Sequence, residues 1–157
     1  MLHSPCFKSI KMAQVDVRTE TIINTSVEKV FAFTADPDNA PKWYVNIRSA
    51  EWRSPKPLFI GSHIAFKAQF LGKQLAYVYE ITELIPGQKL VMRTADGPFP
   101  METTYLFERA SSTATKMILI NRGLPAGFSK LFAPFMSMAM RKANNKDLAL
   151  LKQILEK

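Results

Sequence analysis

The chain has one cysteine, Cys6, and two histidines, His3 and His63. A lone cysteine excludes an intramolecular disulfide and a cysteine-rich metal site. Two histidines so far apart suggest no cluster, so neither a metal nor another cofactor is expected. No apolar run approaches the roughly 18 residues of a membrane span, and no transmembrane segment is expected. Residues 1–11 are basic but lack the apolar stretch of about 7–15 residues that marks a signal peptide. Low cysteine usage fits a cytoplasmic location, which is the expectation here. Nucleophile elbows, glycine-rich phosphate loops and metal-ligand spacings are also missing.

What is there is ordinary in bulk and unusual in two details. With 157 residues, 47% of them hydrophobic and 22% charged, the chain suits one globular domain with its own core. Residues 1–12 read as a disordered extension or an upstream start, and residues 13–157 as the domain. The first unusual detail is a content of 11 Phe and 8 Met, which suggests a soft, aromatic interior. The second is a formal net charge of +8. That charge is concentrated at the ends: Lys8 and Lys11 at one, and six basic against two acidic residues over 126–157. The body between is nearly balanced and shows no basic stripe with interleaved aromatics, so a nucleic-acid partner is not expected.

The pattern of elements is legible along the chain. Residues 14–24 alternate and are rich in β-branched types, which predicts a strand. Thr25 and Glu28 stand at capping-box spacing ahead of Val27, Val30, Phe31 and Phe33, which predicts a short helix to about Ala35. Asp36-Pro37 offers an N-cap with proline at the first helical position, so a second short helix should reach Trp43, which would pack these helices on the sheet. Strand patterns follow over 47–53, 63–71, 74–84, 89–95, 101–109 and 115–122, joined by short turns. Such connections imply an antiparallel sheet. After a linker over 123–127, residues 128–156 show helical spacing in Phe128, Phe132, Phe135, Ala139, Ala143, Leu150 and Ile154. Pro134 must begin the main helix or kink it. The order is that of an α+β domain.

Strand parity assigns faces. Phe66, Phe70, Tyr77, Tyr79, Met92, Thr94, Met101, Thr103, Tyr105 and Phe107 share one face, with Asn121 on the last strand. The helix would add Phe128, Phe132, Phe135, Met136 and Met140. An apolar face under a helix is by default plain core. Three tyrosines and two threonines are more polar groups than a dry core holds without partners, and this tilts the set toward a binding site. His63, Glu80, Glu83, Glu102 and Glu108 fall on outward parities, so the inward faces hold no His, Asp, Glu, Lys or Cys. Phe99, between Pro98 and Pro100, is either a loop anchor or a lid at a pocket mouth.

Several stretches together resemble the START/SRPBCC superfamily, the helix-grip fold of birch pollen allergens and polyketide cyclases. They are Ile22-Ile-Asn-Thr-Ser-Val-Glu-Lys-Val-Phe31, Asp36-Pro37 with Trp43, Gly61 before a strand, Ile81-Thr-Glu-Leu-Ile-Pro86 with Leu90, the hairpin near Thr115, and the closing Leu148-Ala-Leu-Leu-Lys-Gln-Ile-Leu-Glu156. The resemblance covers residues 14–157. It implies a curved antiparallel sheet wrapped around a long C-terminal helix, with two short helices after the first strand and an internal cavity. The function expected is binding of a hydrophobic or aromatic small molecule, lipid- or polyketide-like, between sheet and helix. A structure with no cavity above roughly 300 Å³ between sheet and helix would sink this reading. The alternatives are a cyclase- or aromatase-like enzyme using Tyr77, Tyr79 or Tyr105 with Asn121, and a protein-interaction domain of the kind with which some relatives activate a heat-shock chaperone. No catalytic residue is assigned.

Overall fold

A computed structural model of the protein describes residues 15–124 and 133–157. Strand β1 (Val15–Ile23) leads into helix α1 (Val27–Thr34), a 3-10 turn (Pro37–Asn39) and the single turn α2 (Ala40–Trp43). Strands β2 (Ile47–Trp52), β3 (His63–Phe70), β4 (Lys73–Ile85), β5 (Lys89–Asp96), β6 (Met101–Ser111) and β7 (Ala114–Gly123) follow, and then helix α3 (Ala133–Leu155). The tail over 1–12, the linker over 125–127, and Phe128 and Phe132 lie outside the described residues.

The sheet has seven strands in the order β1-β7-β6-β5-β4-β3-β2, and every neighbouring pair is antiparallel. Hairpins explain this order, because each strand from β2 to β6 pairs with the next one along the chain. Only β1 is non-local; it closes against β7 in a register running from Val15 opposite Gly123 to Ile23 opposite Thr115. The sheet curls into a half-barrel around α3, which is the helix-grip arrangement.

Local chemistry sets the boundaries. The Asp36 side chain accepts the Asp38 amide at 2.9 Å, and Pro37 opens the turn with a backbone angle proline already favours. Pro134 lies in the first turn of α3, where its missing N–H costs no helical bond, so it begins the helix. The capping box expected at Thr25 does not form. Ser26 occupies the cap position of α1 with no side-chain bond, and the Thr25 hydroxyl instead donates to the Leu155 carbonyl at 2.6 Å. Glu28 bonds Arg109. A carbonyl left unpaired at the end of α3 has thus captured the side chain that local sequence assigned to α1.

Trp43, Ile64, Ile81, Leu90, Tyr105, Phe107, Leu119, Leu148 and Leu151 form the core between sheet and helix. Val15, Val17 and Met136 make a second buried group at the start of α3. The outward faces carry ion pairs, among them Lys89 with Glu83 at 3.1 Å and Arg93 with Glu102 at 2.6 Å. Among the described residues, no helix is long and apolar enough to cross a membrane.

Candidate functional site

Alternation in β3 to β7 brings one face of each strand under α3. Cross-strand register then sets which side chains touch. Phe66 lies opposite Tyr77, Met92 opposite Thr103, and Thr103 opposite Asn121. Bulges in the β4–β5 pairing at Val78/Tyr79 and Ile81/Glu83 shift the register there. Where the curled sheet stands off from α3, a cavity of about 160 Å³ remains.

Its sheet wall is made by Phe66, Phe70, Tyr77, Tyr79 and Met92, continued by Met101, Thr103, Tyr105 and Asn121; Met140 faces them from α3. All ten stood in the set drawn from strand parity and helical spacing. Four others of that set stand elsewhere. The Thr94 hydroxyl turns toward the β6 backbone and accepts the Met101 amide at 2.9 Å. Phe107 is core, edge-on to Phe31 at 5.3 Å. Met136 is buried with Val15 and Val17. Phe135 is 53% exposed and lines an outer groove. Parity settles the face of a side chain and leaves its depth along the curled sheet open.

The wall also contains residues that sequence reasoning missed. Tyr44, Asn46 and Ile47 reach it from the α2–β2 junction, and Ala143 and Asn144 from α3. Phe99 lines it too, edge-on to Tyr77 at 6.0 Å, so it belongs to the wall. Gly97 explains how its loop comes so near: a β-carbon there would overlap the Tyr77 ring. The helical signal for the missed residues was available. Asn144 and Asp147 lie on the inward stripe that runs from Met140 to Leu148 and Leu151.

Asp147 corrects the expectation that the inward faces hold no ionisable group. It is 2% exposed, and its Oδ1 accepts the Val45 amide at 2.8 Å. Burial pushes its pKa up to about 7, and the bond from Val45 opposes only part of that rise. It stands behind the cavity wall, close enough to Tyr44 and Tyr105 to raise both their pKa values electrostatically, although burial is the larger cause. Those two tyrosines bring their hydroxyl oxygens within 2.6 Å of each other. Burial alone raises Tyr77 to about 12. At neutral pH every tyrosine here is therefore a neutral hydrogen-bonding group.

Polar atoms in the wall are mostly paired internally. Thr103 donates to Asn121 Oδ1 at 2.8 Å. Among the described residues, two buried nitrogens have no hydrogen-bond partner: Nδ2 of Asn144, a residue of the cavity wall, and Trp43 Nε1, in the core. His63 stands away from the cavity, its Nδ1 2.8 Å from the Gly61 carbonyl. Among the described residues, no three His, Cys, Asp or Glu side chains gather as a metal site would need.

At 160 Å³ the cavity between sheet and helix falls short of the roughly 300 Å³ required above, so it does not enclose a whole lipid- or polyketide-like molecule as the sequence led us to expect. An apolar cavity of about 150 Å³ is enough to bind benzene. A space of this volume therefore suits a body of one ring. Through Asn46, Phe70 and Ala143 the wall is shared with the outer groove of about 460 Å³, between Leu71 and the start of α3.

Among solved structures the fold is similar to a Thermus thermophilus protein, at 18% identity and TM-score 0.76, over 88% of this chain and 94% of that one. A START superfamily protein from Mycobacterium smegmatis is similar at 12% identity and TM-score 0.76, over 90% and 97%. The Zhui aromatase/cyclase from Streptomyces sp. R1128 is similar at 11% identity and TM-score 0.76, over 91% and 94%. No curated relative matches by sequence. At these identities the structural likenesses show the fold alone. The family described as polyketide cyclase/dehydrase and lipid transport matches residues 14–156, and the chain belongs to it.

Proposed function

We propose that the protein binds a small hydrophobic or aromatic molecule between its sheet and α3. The observation that carries this reading is the cavity itself, an aromatic and methionine wall with a few neutral polar groups. Its volume limits the part that is enclosed to about one ring. A larger lipid- or polyketide-like molecule would place one ring or chain end inside and the rest along the groove past Phe70. Family membership and the fold shared with an aromatase/cyclase support this class of ligand. The low cysteine content supports a cytoplasmic setting.

Native mass spectrometry of the freshly purified protein tests the reading, with an apolar small molecule expected to co-purify. Titration with single-ring aromatics gives the second arm. Failure of both, with the fold intact by circular dichroism, would overturn it.

One observation favours a second, cyclase-like reading. Asp147 titrates near neutrality beside the Tyr44–Tyr105 pair, and proton transfer works best from a group of that kind. On this reading the tyrosines would touch the substrate and Asp147 would act through them as a positioning residue. Turnover of a cyclisable polyketide, lost in the Tyr44→Phe/Tyr105→Phe double variant, would establish it. The interaction-domain reading has less support, because α3 exposes few large apolar side chains, chiefly Phe135 and Met138.

A further inference from the structure

The cavity wall holds a few polar groups whose hydrogen-bonding capacity is unevenly used. Tyr44 and Tyr105 form a hydroxyl pair at 2.6 Å. Only one of the two hydrogens can lie between the oxygens, so the other is left to donate elsewhere. No acceptor for it is found among the described residues. Asn144 adds a second unused donor. The residue lines the cavity and is 5% exposed, and its buried Nδ2 has no partner among the described residues. A rotation about its last side-chain bond lets the amide present nitrogen or oxygen. Asp147 lies one helical turn beyond Asn144 and close behind the tyrosine pair. A carboxylate ligand would find no Lys, Arg or His in the cavity lining among the described residues.

We infer that the ligand is neutral and carries a carbonyl oxygen, seated on the Tyr44–Tyr105 pair and Asn144 with its apolar body against Phe66 and Tyr77. This rests on the binding reading above and deepens it. Two donors left unmatched in a buried wall are costly alone, and a carbonyl with two lone pairs accepts from both. A purely apolar ligand leaves them unmatched. A carboxylate supplies acceptors but brings a charge into a mostly apolar wall with no described cation facing it.

Isothermal titration of the full chain with three single-ring probes tests this: ethylbenzene, acetophenone and benzoate. Acetophenone is expected to bind about tenfold or more tighter than either of the others. The Asn144→Leu variant and the Tyr44→Phe/Tyr105→Phe double variant should each reduce that preference, and their thermal melts show whether they fold. Should one fail to fold, the wild-type ranking and the other variant still decide. Ethylbenzene binding as tight as acetophenone overturns the carbonyl assignment and leaves the binding reading intact. Benzoate binding tightest overturns the neutrality. If none of the three binds, the carbonyl assignment falls, and the binding reading falls with it where no apolar molecule co-purifies in native mass spectrometry either.

Discussion

The Asp147 carboxylate on α3 accepts the backbone amide of Val45 at 2.8 Å, so one buried acid joins the long helix to the junction that carries Tyr44 and Asn46 into the cavity wall. Its folded pKa is about 7, against an ordinary 3.8. Between those values the native state holds a proton that the unfolded chain has released. Stability contributed by this group is therefore full below about pH 4 and is lost as pH rises through 7. The Asp147→Asn variant keeps an acceptor for Val45 and cannot ionise. Urea unfolding should show it gaining on the wild type by about 2–3 kcal/mol between pH 5 and pH 8.5. A difference that does not change with pH would show Asp147 to be charged throughout.

A second link joins the two ends of the domain. The Thr25 hydroxyl donates to the Leu155 carbonyl at 2.6 Å, while Thr25's own carbonyl accepts from Thr115 at 2.8 Å. Thr25→Val keeps the shape and removes the donor. It should cost about 1 kcal/mol, seen as a fall in Tm of about 2–4 °C. Had the capping box formed, the same substitution would weaken α1. Hydrogen exchange separates the two: faster exchange in the last turn of α3, with α1 unchanged, is the expected pattern.

These two residues show what the sequence could and could not disclose. Alternation over β3 to β7 is a local property, and it placed Phe66, Tyr77, Met92, Thr103 and Tyr105 on one face before any tertiary information was used. Pro134 and Asp36-Pro37 were equally readable, because their backbone preferences act within a turn. Thr25 was misread because its partner is distant in sequence, and a tertiary bond displaced a local motif. Asp147 and Asn144 were passed over because attention to apolar spacing on α3 discounts polar residues on the same stripe, although their positions fit it. Phe107 and Thr94 had the right parity and the wrong depth. The cavity's volume depends on how far the curled sheet stands from the helix, which no periodicity encodes.

Gly97 tests how closely the loop between β5 and β6 sets the cavity wall. A methyl group at this position would overlap the Tyr77 ring, and Tyr77 in turn packs on Phe99 and Tyr79. Gly97→Ala should force the ring aside at a cost of about 1–3 kcal/mol. Titration with ethylbenzene should show affinity falling several-fold. Equal affinity in the Gly97 variant and the wild type would place Tyr77 outside the binding volume.

The hairpin between β3 and β4 carries a strained residue at the rim of the outer groove. Leu71 has φ 51° and Gly72 φ 76°, so both central residues of this two-residue turn are left-handed. Such turns favour Asn-Gly, since asparagine tolerates that conformation far better than leucine. Leu71 is 48% exposed, so its side chain gains little from burial where it stands. Leu71→Asn should therefore stabilise the fold by about 0.5–1 kcal/mol, measured by urea unfolding. The strain persists in the natural chain at a position that borders the groove sharing Asn46, Phe70 and Ala143 with the cavity wall. If the leucine serves a ligand extending through that groove, the more stable Asn variant should bind a long-chain phenyl ketone more weakly than the wild type and acetophenone equally well. Equal affinity for both ketones would separate the turn's strain from ligand binding altogether.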